Sequence, residues 1–391
     1  MSYETYSVAD LIDEIAMGPF GSNIKVSCFV DSGVPVLNGS NLEGFSLSEK
    51  AFRYVTEEKA DSLNKANAHR GDIVITHRGT LGQIVFIPQD SRYDRYVISQ
   101  SQFRVRCNDK VLPEYLVYYF HTPIGQYKLL SNASQVGVPA LARPSSTFQQ
   151  IEVTLPELSI QKRVVEIITT IQRKIENNQE LNDNLEQQAQ ALFKSWFVDF
   201  EPFSNQKPSD WSVSTLGNVS IMGAGGDKPQ NISPIKSNLC QYPIYSNGLS
   251  EEGLYGFTDK PKIFKESVTV SARGTIGFVC LRHIPYVPIV RLVTLIPKTE
   301  IISAKYLYLW LKQLHITGTG TTQQQLTVPD FRKTEILVPS QAIVTLFTAT
   351  VEPIFEKIWA NQNENEKLSS LRDTLLPKLM SGEIDVSDIQ L

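Results

Sequence analysis

The chain has 391 residues, 41% of them hydrophobic, and a formal net charge of −4. That length suggests two or three domains with ordinary cores, and a net acidic balance argues against a free-standing nucleic-acid binder. Five scattered histidines make a metal cluster a poor reading, and Cys28, Cys107, Cys240 and Cys280 lack metal-type or redox spacing, as expected of reduced thiols. With no apolar leader and no bilayer-length run, a soluble cytoplasmic protein is expected.

In chain order, residues 1–157 form a body of short β-prone runs cut by Gly, Pro and Asn. Asp72-Ile73-Val74-Ile75-Thr76 reads as a strand stopped by an Arg78-Gly79-Thr80 turn, and Tyr115 to Phe120 reads as a short helix. Residues 158–207 change character. Apolar or small residues recur at Val164, Ile168, Ile171, Ile175, Leu185, Ala189, Leu192 and Trp196, with Asn178 and Asn182 filling the gaps. This alternation of four and three is a heptad pattern, and it predicts a long helical stalk.

A second body, residues 208–339, repeats the first in kind, with a strand candidate at Ser267 to Ser271 and a helix at Tyr306 to Leu311. It holds 13 Lys+Arg against 9 Asp+Glu, so it is basic. Residues 340–391 hold 4 against 8 and carry the second stalk: Phe347, Val351, Ile354, Ile358, Asn361, Asn365, Leu368, Arg372, Leu375 and Leu379. Pro353 is expected at its first turn or at a kink, and Pro377 at its frayed end.

The resemblance between the halves is a true duplication. Residues 148–197 lie on 331–380 without a gap, at an offset of 331 − 148 = 183. Arg78-Gly79-Thr80-Leu81-Gly82 matches Arg273-Gly274-Thr275-Ile276-Gly277, and Glu114 to Phe120 matches Lys305 to Leu311. Ser7-Val8…Met17-Gly18 matches Ser212-Val213…Met222-Gly223, so the C-terminal Met380 to Val386 is expected to dock where the first body begins. An internal repeat of this length governs the architecture. The fold expected is α+β: two mixed bodies and two long antiparallel coiled-coil helices related by a pseudo-two-fold. In that pairing residue i faces 543 − i, which sets Asn178 against Asn365 and Asn182 against Asn361. Buried Asn layers fix register in coiled coils at some cost in stability; the alternative is that these Asn face solvent.

No enzyme motif stands out. There is no Asn-Pro-Pro-Tyr run, no Gly-Lys-Ser/Thr phosphate loop, and Gly223-Ala224-Gly225-Gly226 lacks the strand–turn–helix setting of a nucleotide site. What the chain does resemble, along essentially all of its length, is the specificity subunit of type I restriction-modification systems. The motifs are Met17-Gly18-Pro19-Phe20-Gly21-Ser22, the twice-used Arg-Gly-Thr turn, and Gly320-Thr321-Thr322-Gln323-Gln324-Gln325-Leu326. Leu192 to Phe200 and Leu371 to Ile384 complete the set. The resemblance implies that 1–157 and 208–339 are target-recognition domains, 158–207 a central spacer helix, and 340–391 a C-terminal spacer helix and tail. It also implies double-stranded DNA as ligand, two modification subunits and a restriction subunit as partners, and no membrane. No cofactor would be bound by this chain: S-adenosylmethionine, and ATP with magnesium for restriction, would sit on the partners. A stalk of 33 residues (164–196) spans roughly 50 Å at ~1.5 Å per residue, enough to set two readers about one DNA turn apart. A detached targeting module, or a coiled-coil adaptor that binds only protein, stays open as an alternative.

Base readout needs loop side chains with paired donors and acceptors. Residues that differ between the halves are the better readers, since the two targets should differ. They are Asn38, Ser40, Asn41, His77, Gln135 and Arg143 in the first body, and Lys228, Tyr245, Asn247, Thr321, Gln323 and Gln324 in the second. Arg78, Thr80, Arg273 and Thr275 are shared, which favours a structural staple or a phosphate contact over base specificity. Aromatic stacking on bases finds no support among the tyrosines, which lie mostly in core-like runs.

Overall fold

The computed structural model describes residues 3–134, 137–318 and 325–387. They form two compact units, Met1–Asn177 with Glu364–Leu391, and Asn178–Asn363. Each unit holds one body together with a part of each long helix.

In the first unit, one antiparallel sheet runs in the order Ile12–Met17, Gln102–Cys107, Ile73–Thr76, Ile84–Phe86. Every residue of Ile73–Thr76 is buried, as a β-branched run must be when it sits in a sheet interior with both faces covered. A second sheet orders Arg53–Val55, Val34–Val36, Arg95–Val97 and Asn67–His69, with one parallel pairing, Val36 to Val97. Tyr3–Ser7 pairs with Glu152–Pro156 and closes the body. The helix Pro113–His121 buries Tyr115 to Phe120.

The second unit repeats this plan. Its first sheet orders Ser220–Ala224, Val293–Pro297, Ser267–Val270 and Val279–Arg282. Its second orders Leu254–Thr258, Tyr242–Tyr245 and Val287–Pro288, again with one parallel pair. Ser212–Thr215 pairs with Glu335–Val338 as the closing ribbon.

The stalks are the helices Leu158–Phe197 and Gln341–Ser381. Within each unit their segments pack antiparallel. In the first, Asn365 Nδ2 donates to the Ile175 carbonyl at 3.2 Å and Arg372 Nη1 to Gln172 Oε1 at 2.8 Å. In the second, Asn361 Nδ2 donates to Asn182 Oδ1 at 2.8 Å. Asn178 and Asn361 are both almost fully buried, so the amides do not face solvent.

Three details depart from the sequence reading. The second stalk starts at Gln341, so Pro353 lies well inside it rather than in its first turn; buried Val351 and Phe355 on either side anchor the helix where the missing N–H weakens it. Pro377 is likewise internal, and the helix runs on to Ser381 because Leu376, Leu379 and Met380 are buried in the first core. Gly382, at φ +76°, ends it in the left-handed conformation common just past a helix. Third, the buried stripe of the first stalk shifts: Phe193 and Phe197 are fully covered while Leu192 and Trp196 are partly covered. Tyr306 and Phe347 pack on Phe193 and Phe197, which rotates the covered face. The C-terminal tail does dock on the first body: Val386 is buried with Val8 and Leu11, and Arg163 Nη1 donates to its carbonyl at 2.8 Å.

Candidate functional site

The repeated turn shows why its glycines are there. Gly79 and Gly82 have φ of +91° and +89°, and Gly274 and Gly277 have +70° and +84°, values that side chains with a Cβ adopt only at a cost. Each turn follows the central strand of its sheet and lifts one arginine into solvent. Arg78 and Thr80 are exposed, as is Arg273. Neither arginine pairs with a buried carboxylate: Arg78 has no hydrogen-bond partner among the described residues, and Arg273 Nη2 donates to Gln325 Oε1 at 3.1 Å. Thr275 is less available, because its hydroxyl is buried in the turn.

In the first unit this turn is one edge of a continuous loop face. Gly79 N donates to the Pro139 carbonyl and Leu141 N to the His77 carbonyl, which brings the 139–143 segment alongside. Arg143 is exposed there, held at φ +47° at the start of the helix Pro144–Gln149. Gln83 accepts from Thr76 Oγ1 and donates to the Gly39 carbonyl at 2.9 Å, which ties the Asn38–Asn41 loop to the same strand end. His77 Nε2 lies 3.1 Å from the Gln100 carbonyl, and burial holds its pKa below the ordinary histidine value. It is therefore a neutral donor inside the face.

Three expected readers are corrected. Asn41 is wholly buried; its Nδ2 donates to the Ser48 and Lys50 carbonyls and its Oδ1 accepts from Asn38 N. An amide with both ends bonded to backbone presents no edge to a base. Asn247 is spent the same way, donating to the Val290 carbonyl and accepting from Ala272 N, both at 2.7 Å. Tyr245 is also a support, gripped between Tyr286 and the Arg282 guanidinium, which lies 3.6 Å from its ring centroid. Asn38 uses Oδ1 to cap its own loop by accepting from Ser40 N and Oγ, which also occupies the exposed Ser40 hydroxyl.

The face of the second unit gathers Lys228, stacked over Tyr255 at 4.2 Å, with Arg273 and Arg291. Arg291 escapes the sequence reading. It is exposed at φ +65°, in a turn whose Val290 and Arg291 amides donate to the Gly226 and Gly225 carbonyls. Nothing in the local composition flags such a position. Gln135, Thr321, Gln323 and Gln324 lie outside the described residues.

Beneath the faces are buried ion pairs that the sequence reading also missed. Asp72 is buried and accepts from Arg106 Nε at 2.9 Å, and buried Arg104 reaches Glu14 at 2.6 Å. Arg282 pairs with Glu252 at 2.8 Å and donates to Thr269 Oγ1. Burial pushes the Cys107 and Cys280 thiols up to about 12, which makes them inert. Among the described residues no group of three or more His, Cys, Asp or Glu is arranged to hold a metal, and no helix is long and apolar enough to cross a membrane.

A duplicated frame with unlike loop faces on matching scaffolds narrows the identity, and comparison with known proteins decides it. The family model described as the type I restriction modification DNA specificity domain matches twice, over residues 15–187 and 208–368. This chain belongs to that family. It is similar to the type I restriction enzyme MjaIX specificity subunit of Methanocaldococcus jannaschii, at 25% identity over 97% of this chain and 93% of the relative. It is also similar to the HindI specificity subunit of Haemophilus influenzae, at 27% identity over 81% and 87%. Among solved structures, an S subunit of a type I restriction-modification system from M. genitalium shares the fold, with a TM-score of 0.58 at 17% identity over 97% of this chain and 96% of the other. Both halves of the specificity subunit therefore carry the same domain, and the two family matches bracket the two bodies.

Proposed function

We propose that this specificity subunit reads a bipartite DNA site and scaffolds the enzymes that act on it, with no catalytic step of its own. Each body would read one half-site. The shared Arg78 and Arg273 would meet phosphates, and the unlike loops would meet base edges. The single observation that carries this reading is that two bodies sharing one four-stranded sheet order and a parallel pairing in the companion sheet differ in the loops at the ends of their central strands.

The continuous helix Leu158–Phe197, 40 residues and roughly 60 Å at ~1.5 Å per residue, would set the unread spacer. Two modification subunits would grip the stalks, bring S-adenosylmethionine, and flip one adenine on each strand out of the duplex. A restriction subunit would join through them and bring ATP and magnesium. Because this chain is net acidic, the partners would supply much of the phosphate neutralisation.

The test is a methylation assay with the purified chain alone and with a modification subunit added. The chain alone should be blank and the mixture active at one split motif. Methyl transfer by the pure chain would reject the reading. A gel shift on random-sequence duplexes, with and without the modification subunit, separates this role from that of an adaptor that binds only protein.

A further inference from the structure

We propose that Phe20 is an aromatic wedge of the first body, stacking on the bases of the half-site that body reads. The inference rests on the DNA-reading role above and adds a contact that only one half possesses.

Phe20 sits in Gly18-Pro19-Phe20-Gly21, a loop pressed hard onto the segment at Ser99 and Gln100. A Cβ on Gly18 would lie 1.9 Å from the Ser99 carbonyl oxygen, and one on Gly21 would lie 2.2 Å from Gln100 Oε1. A side chain is thus excluded at Gly18, where it would strike backbone, whereas at Gly21 it would meet only the movable end of the Gln100 side chain; Pro19 fixes its own backbone. The loop holds the phenyl ring 83% exposed. A lone exposed apolar residue needs no explanation, but this one has a site beside it. A cavity of about 430 Å³ opens next to the ring, lined by Phe29, Arg53, Asn38 and Gln100 among others. Arg53 stacks over Phe29 at 5.3 Å.

Aromatic faces rimmed by an amide, a guanidinium and a second amide match a nucleobase, which offers a π-face and a hydrogen-bonding edge. The location agrees. The Gln100 carbonyl bonds His77, the residue before Arg78, and Asn38 opens the loop tied to Gln83. Phe20 therefore stands on the same face as the exposed Arg78. Wedges of this kind work by partly unstacking a base step.

The second body lacks the ring. Its ladder sets Ala224 opposite Val293 as Met17 is set opposite Phe103, and Gly225 N donates to the Leu292 carbonyl as Gly18 N donates to that of Gln102. Gly225 is thus the counterpart of Gly18, and the exposed Asp227 stands where the first body has Phe20.

The experiment uses the full chain assembled with its modification subunits, and a duplex carrying the motif found methylated in the host. Affinity is measured by fluorescence anisotropy across a salt series. Phe20→Ala should weaken binding about 5- to 150-fold, leave the salt slope unchanged because no phosphate contact is lost, and leave thermal unfolding unchanged because the ring is exposed. Phe20→Trp should stay within about threefold of the wild type, since it restores a stacking face. Wild-type affinity for Phe20→Ala would overturn the proposal, as would a Phe20→Trp protein as weak as Phe20→Ala. Loss of modification subunits in place of DNA would overturn it in favour of a protein contact. A wild-type assembly with no preference for the motif would overturn the DNA-reading role itself.

Discussion

The two units share a four-stranded sheet of one strand order, although the companion sheet has four strands in the first and three in the second, and they finish the contact between body and stalk differently. In the first, a groove of about 730 Å³ is lined by Phe45, Phe86, Tyr118, Val165 and Glu176. At the repeat position of Glu176 the second stalk has Trp359. There Trp359 stacks on His283 at 4.2 Å, Lys305 lies over the indole, and Phe355 packs against Tyr308. Lys305 itself is buried and paired with Glu266 and Glu352, where the first body has Glu114 at the matching position. The backbone plan is thus set by the patterning both copies share, while each copy chooses its own side chains for the junction and the loop face. Duplication fixes the frame, and divergence supplies the difference that the proposed bipartite reading requires.

The sharpest way to break the comparison is to remove one half. The repeat lays Asn178 to Phe197 on Asn361 to Met380, so a fragment of residues 1–207 can supply from a second copy the helix its body lacks. It should dimerise and, with modification subunits, direct methylation to a palindrome. Sedimentation and methylation mapping read this, and a well-folded, strictly monomeric fragment would contradict it.

The ion pairs come next. Asp72→Leu strips the buried Arg104 of one of its carboxylates in a core and should cost about 3–5 kcal/mol in denaturant unfolding of the first unit. Glu252→Leu leaves Arg282, whose side chain is 3% exposed, without its carboxylate and should cost about as much in the second. A cost near zero in either unit would show that its buried arginine does not depend on the pair. At the functional level, four residues inserted in the first stalk add about 6 Å, close to two base pairs at ~3.4 Å each. The unread spacer of the methylated motif should lengthen accordingly, and an unchanged spacer would contradict the ruler role.

The smallest effect is on pH dependence. Burial, with Lys305 and Arg282 nearby, lowers the His283 pKa from 6.5 to about 4. Below pH 6.5 the unfolded chain takes up a proton that the folded unit refuses, so stability falls as pH drops from 6.5 toward 4 and is unaffected above that window. His283→Gln should flatten this slope in the second unit's unfolding, and an unchanged slope would show that other groups carry it.

How much of this was legible depends on what each signal encodes. Heptad spacing survives in the primary sequence because it is periodic, so both stalks and their opposed pairing could be read from Val164, Ile168, Ile175 and their counterparts. Helix ends could not: Pro353 and Pro377 are helix breakers by local rule, and tertiary burial of Phe355 and Leu379 overrides them. Loop readers were the least legible. Asn41 and Asn247 carry the right donors and acceptors, but only the fold shows that backbone groups already occupy them. Phe20 escaped for the opposite reason. A phenylalanine is read as core by default, and only the fold shows this ring standing outside.

Two readers of unlike preference would share one frame. The most direct test is methylation sequencing of a genome modified by this chain, compared with one modified by a variant whose second body is replaced by a copy of the first. The prediction is a split motif with two different halves for the natural chain and a motif with two identical, inverted halves for the variant. An unchanged motif in the variant, or a single uninterrupted motif for the natural chain, would contradict it.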